Sequence, residues 1–243
     1  MRFFILVSVF LLFLGVLVSA EPATTPLPET EIVSHYLSAA REQQSLLRGA
    51  SIDVEIDAEV PKLNKKGKLH ALKQISKVGI ITYHALGFDG DSSVKREVIA
   101  RFLASEVQQA QNGTDLGITP ANYKFKYRRS QDVDGRKVLV FQLSPRKKEV
   151  GFFKGDLWLD AQTYMPVRES GRWVKTPSVF LKKMEFVRFY DTQDGVSRLQ
   201  RLESRADTRL FGPVRLNINF GKVSREDDAE SVAEVGSGNS VIP

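Results

Sequence analysis

From residue 51 to residue 60, apolar and acidic positions alternate without a break. Ile52, Val54, Ile56, Ala58 and Val60 stand against Asp53, Glu55, Asp57 and Glu59. A period of two is that of a β-strand with one dry face and one wet face. A weaker alternation predicts further strands over 68–76 and 78–86, entered through a turn at 64–67. Two stretches follow the helical period instead. Thr30 is placed to cap a helix running to Arg48 and closed by Gly49, with Ile32, Tyr36, Ala39, Ala40, Leu46 and Leu47 on one stripe. Gly87-Phe88-Asp89-Gly90-Asp91 is expected to break the sheet. Ser92 or Ser93 then caps a second helix to about Gln109, striped by Val94, Val98, Ile99, Phe102, Leu103 and Val107.

From Asn122 onward the pattern is that of strands. Tyr123, Phe125 and Tyr127 alternate with Lys124, Lys126 and Arg128, and Asp134-Gly135 turns the chain into 136–144. Residues 155–168 read as a hairpin. Two runs of strand formers flank Asp160-Ala161-Gln162-Thr163, where an Asp in first position can bond amides two residues on. Leu157 and Leu159 point one way and Trp158 the other, so both faces need cover. Pro166 cannot donate to a ladder, which puts its strand at an edge or leaves that amide side free. Strands over 178–190 and 197–208, joined at Asp194-Gly195, and a last one after Gly212-Pro213 complete the set.

No strand–helix alternation of the parallel kind occurs. The expected fold class is mainly antiparallel β with α (α+β). It is pictured as an incomplete, curved β-barrel of about ten strands with two amphipathic helices on its concave face. Residues 30–223 are expected to form one domain, preceded by a linker at 21–29 and followed by a disordered acidic tail at 224–243.

The start of the chain carries an expectation about the compartment. Met1-Arg2, an apolar run from Phe3 to Val18 and Val18-Ser19-Ala20 form a secretory leader, 1–20, too short for the ~20 residues of a spanning helix. The protein is expected to be exported, with the periplasm as the favoured location. With Glu21 next and no Cys anywhere, lipid anchoring through an N-terminal cysteine is excluded, and so are disulfides. Lys and Arg total 35 against 29 Asp and Glu, a balance too even to argue for nucleic acid.

An export leader, a helix, a long alternating strand and a meander with helical insertions resemble the LolA-type periplasmic lipoprotein carriers and their LolB and RseB-type relatives. At residue level the match is Gly155-Asp156-Leu157-Trp158-Leu159-Asp160, Thr163 and Pro166-Val167-Arg168. The resemblance implies a half-barrel whose helix-lidded concave face takes up acyl chains. No binding residue is carried over from the family.

Catalytic chemistry has little to stand on, and no enzyme activity is expected. His35, His70 and His84 share no spacing, and no nucleophile elbow, phosphate loop, dinucleotide fingerprint or zinc spacing occurs. The acidic residues at 53–59 lack His or Cys partners and read as the wet face of a sheet. No metal and no cofactor is expected. Asn112-Gly113-Thr114 matches a glycosylation acceptor but equally a turn.

The large apolar residues are the better lead. Phe102, Phe125, Phe141, Phe153, Leu157, Trp158, Met184 and Phe186 are the candidates to line a ligand cavity, with a plain core as the alternative. The leading expectation is a monomeric exported carrier holding lipid or lipoprotein acyl chains between sheet and helices. The rival is a sensor or protein-interaction module of the same fold with a filled core. Basic clusters at Lys62, Lys65, Lys66 and Lys68, at Arg128-Arg129, at Arg146-Lys147-Lys148 and at Lys182-Lys183 would suit an anionic membrane surface or an acidic protein partner.

Overall fold

The structure is a computed structural model, and it describes residues 27–111, 116–193 and 196–225. The leader, most of the linker, the Asn112 acceptor, the Asp194-Gly195 turn and all but the first residues of the tail lie outside them.

Helix α1 spans Glu29–Leu46. Glu29 and Glu31 sit in its first turn, favourable to the amino-terminal dipole, and Gly49 follows its end at φ +75°, a conformation that costs glycine little. Strands β1 (Ala50–Val60), β2 (Lys65–Ile75) and β3 (Ile81–Gly90) come next. A helical segment then runs through a short α2 (Ser92–Val94), a π-helical turn (Lys95–Ile99) and α3 (Ala100–Gln111). The remaining strands are β4 (Tyr123–Val133), β5 (Arg136–Pro145), β6 (Phe153–Asp160), β7 (Pro166–Trp173), β8 (Leu181–Gln193), β9 (Val196–Thr208) and β10 (Pro213–Arg225).

The ten strands form one antiparallel sheet in the order β3-β2-β1-β10-β9-β8-β7-β6-β5-β4. It does not close: β3 and β4 are its edges. The first strand pairs with the last, so the meander is broken once and the early hairpin is stitched onto the end of the chain. Each inner-face residue of β1 is buried, from Ala50 to Val60 at every second position. The acidic residues opposite meet cations across the strand, Glu59 with Lys66 and Arg215, and Glu55 with Lys68. That is the wet face written in the alternation.

Both helical segments lie on the inner face. Ile32, Val33 and Tyr36 of α1 and Val94 and Ile99 of the second segment join one core with β1, β2, β5, β6, β8, β9 and β10. Hydrophobic burial on a single face is what fixes the register of such a sheet.

Four local expectations need correction. Helix α1 begins at Glu29 with Pro28 in the cap position, so Thr30 lies inside it and does not cap it. Gly87 to Gly90 continue β3 rather than ending it: the register shifts between His70/Gly87 and Ala71/Ala85, so Leu86 is a bulge that absorbs the glycine. Gly90, at φ +106°, closes the strand against Gly67; a Cβ there would lie 2.5 Å from the Lys66 carbonyl oxygen. The cap of the second helix is Asp91, not Ser92 or Ser93, its carboxylate accepting the Ser93 amide at 2.8 Å. The first turn is shorter than expected. Asn64 takes the left-handed conformation after Pro61–Leu63, and β2 starts at Lys65.

The hairpin has the form its sequence predicts. Asp160 Oδ1 accepts the amides of Gln162 and Thr163 at 2.8 and 2.9 Å. Its second strand is interior, but Pro166 is the first residue of β7 and lies beyond the ladder with β8, so its missing N–H costs no sheet bond on that side.

Candidate functional site

The inner face is built from rings. Tyr123 lies 5.5 Å from Phe153, Phe153 4.9 Å from Phe186, and Phe186 5.4 Å from Trp173, measured between ring centres. From the other side Tyr36 of α1 approaches Phe125 at 6.4 Å, and Phe125 approaches Phe141 at 6.3 Å, edge to face. Pairs of this geometry add to what burial alone contributes.

Polar groups sit within this apolar floor. Glu169 on β7 is only 4 % exposed, and its carboxylate accepts from Arg188 Nη1 at 2.9 Å and from the Tyr190 hydroxyl at 2.8 Å. The Arg188 guanidinium also lies 4.8 Å from the centre of the Phe186 ring. Burial opposes the Arg188 charge, but Glu169 and Tyr190 hold its pKa above the ordinary arginine value. Burial, helped by the Glu169 charge, pushes the Tyr36 and Tyr190 hydroxyls well above the usual tyrosine value, so both stay neutral donors. Burial likewise pushes Tyr123 up to about 12, although the Phe153 amide donates to its oxygen.

A second cluster ties α3 to the sheet. Glu106 accepts from Lys73 Nζ at 2.5 Å and from the Tyr83 hydroxyl at 2.6 Å. Lys73, 8 % exposed, lies between the rings of Tyr83 and Phe220, at 5.6 and 5.7 Å from their centres. Partners of this kind offset part of the cost of burying an ammonium group.

The outer face carries a cross-strand stack. Registered across β4 to β9 are Arg129, Val140, Trp158, Arg168, Phe189 and Arg201. Arg168 lies 5.0 Å from Trp158 and 5.7 Å from Phe189, Arg129 lies 6.0 Å from Trp158, and Arg201 lies 4.4 Å from Phe189. Val138 and Val140 are buried although they lie on the outward side of β5, where Val140 is registered between Arg129 and Trp158. Trp158 Nε1 and Arg168 Nε are buried within the stack without a hydrogen-bond partner.

Of the cavity candidates, Phe141, Phe153, Leu157 and Phe186 are buried in the one core, and Phe102 and Phe125 pack against it half-covered. Met184 is half-buried on β8. Trp158 stands apart from them, on the outer face beneath its arginines. Two grooves, of about 340 and 320 Å³, also lie on the outer side. Charged residues dominate the first, among them Asp57, Glu59, Lys66, Lys68 and Arg215; the second is bordered by Asp53, Glu55, His70 and Asn219. Among the described residues, no group of three His, Asp or Glu has a metal-binding arrangement. His35 stacks on Tyr164 at 4.7 Å, and His70 faces Asp53 at 3.7 Å.

Glu169, Arg188, Tyr190, Lys73 and Glu106 were not legible as a set in the sequence. The signal was present only as charged residues on the dry-face phase of their strands, as at Lys73, between Ala71 and Ile75.

The chain is similar in structure to a LolA superfamily protein from Nitrosomonas europaea, with 13 % identity, 80 % of this chain and 94 % of that one covered, and a TM-score of 0.42. It is also similar to a putative outer membrane lipoprotein-sorting protein domain from Vibrio parahaemolyticus, at 15 % identity, 81 % and 97 % coverage and a TM-score of 0.40. A third similarity is to the MucA/MucB complex structure of Pseudomonas aeruginosa, at 13 % identity, 83 % and 96 % coverage and a TM-score of 0.28. No family model and no curated protein matches the sequence. No residue role or activity is carried from these structures to this chain.

Proposed function

We propose that this protein is an exported, non-catalytic interaction module of LolA-like architecture that works through its surface, with its interior filled by its own side chains. The observation that carries this reading is the continuity of the inner core. Ile32, Val33 and Tyr36 of α1 meet the rings of β4, β5, β6 and β8 in one cluster, and a hydrogen-bonded Glu169–Arg188–Tyr190 group stands within it. An acyl chain laid across this face would separate Tyr36 from Phe125 and bring methylenes against a buried ion pair, whose groups gain nothing from hydrocarbon. The outer row of Arg129, Trp158, Arg168, Phe189 and Arg201 is then the surface offered to an acidic protein partner.

One observation favours the carrier reading as the second. None of the residues of α3 is buried, and Phe102 and Leu103 remain half-covered, so a chain could lodge beneath that helix without entering the core. Titration with a fluorescent fatty-acid analogue separates the two. The interaction module binds it weakly and without saturation. Saturable, stoichiometric binding that Phe102→Ala alters would establish the carrier instead.

A further inference from the structure

At one end of the sheet three turns meet: Pro61–Leu63 between β1 and β2, residues 174–180 between β7 and β8, and residues 209–212 between β9 and β10. We propose that this end docks the protein onto an anionic lipid bilayer, with its turn tips entering the interface. Val179 is 78 % exposed, Leu210 60 %, Phe180 58 % and Phe211 50 %, and Leu63 adds a fifth large apolar side chain. Their adjacency is fixed by bonds. The Arg209 amide donates to the Phe180 carbonyl at 2.9 Å, and Arg209 Nε donates to that of Val179 at 2.7 Å, joining two of the turns. Gly212, at φ +71°, brings its backbone so near the third that a Cβ would lie 3.4 Å from Lys62 Cδ.

Two features identify the occupant. The first is the backbone. A lipid offers no hydrogen-bond partners, so a segment that enters it must satisfy its own amides and carbonyls. Here hydroxyls within the turns meet part of that demand. Ser178 Oγ accepts the Phe180 amide, Thr208 Oγ1 accepts that of Phe211 and donates to the Gly212 carbonyl, and Thr176 Oγ1 donates to the carbonyls of Ser178 and Leu181. The second feature is charge. Lys62, Lys175, Lys182 and Arg209 accompany the tips, while segments 61–64, 174–182 and 208–213 contain no carboxylate. Apolar tips accompanied by these cations match an interface of acyl chains beneath anionic headgroups.

The test is co-sedimentation of protein collected after export with phosphatidylcholine vesicles, with and without phosphatidylglycerol. The wild type binds the phosphatidylglycerol vesicles and releases with salt. Phe180→Ser with Phe211→Ser weakens binding by roughly tenfold or more, and Lys62→Gln with Lys182→Gln by roughly tenfold, each at unchanged melting temperature because the side chains are exposed. Vesicle binding that the variants leave unaltered overturns the proposal, as would follow from a retained leader. So does an absence of vesicle binding, or binding of soluble polyglutamate in place of vesicles.

Discussion

A carboxylate and a guanidinium buried among rings test the inner face at the scale of single residues. Arg188→Met leaves Glu169 with only Tyr190, and an uncompensated buried charge costs about 3 kcal/mol or more. Denaturant unfolding should show that loss. The joint change Glu169→Leu with Arg188→Met should recover most of it, since a packed apolar pair stands in for the ionic one. Asp91 gives a prediction in pH. Hydrogen bonds from the Ser93 side chain, Lys65 and the Ser93 amide hold its carboxyl down to about 2, from an ordinary 3.8. Its folded pKa is thus the lower one, so its contribution is complete above about pH 4 and is lost as pH falls toward about 2. Asp91→Asn keeps a cap that cannot titrate, and thermal melts across that window should fall less steeply for it than for the wild type. Residues such as Ile52 to Val60 were legible because alternation reports burial directly. Glu169 and Lys73 were not, because their partners, Arg188 and Glu106, lie on other elements and only the fold brings them together.

Among the elements, α3 is held by polar contacts as much as by its stripe. Glu106→Ala removes the acceptor of both Lys73 and Tyr83 and should cost about 2 kcal/mol. Hydrogen exchange should localise the change to 100–111, with β5 and β6 protected as before; uniform loss of protection would contradict that. The hairpin β6–β7 has a steric lock. A Cβ on Gly155 would lie 1.9 Å from the Ser170 carbonyl oxygen and 2.5 Å from Gly171 Cα, both backbone atoms. Gly155→Ala should therefore destabilise by about 3 kcal/mol or more, seen as a lowered unfolding midpoint. The sequence marked this hairpin through Asp160 and its turn, and the turn hydrogen bonds are those the Asp predicts. It misplaced the end of β3, because a bulge at Leu86 lets glycines continue a strand that composition alone would stop. The edge position allowed for Pro166 was resolved by register: the strand is interior, and Pro166 lies outside its ladder with β8.

For the whole molecule, an antiparallel sheet with two helical segments on its inner face was readable from period and order. The pairing of β1 with β10 was not, because contact between the ends of a chain leaves no local pattern. Whether the large apolar residues line a hollow or fill one was also open, since both arrangements are written with the same side chains. The structure joins most of them into a core with α1, and the proposed role rests on that core. Native mass spectrometry of protein purified from its own export compartment tests this most directly. The account predicts the mass of the processed chain alone. A stoichiometric lipid adduct that survives purification and leaves on organic extraction would contradict it.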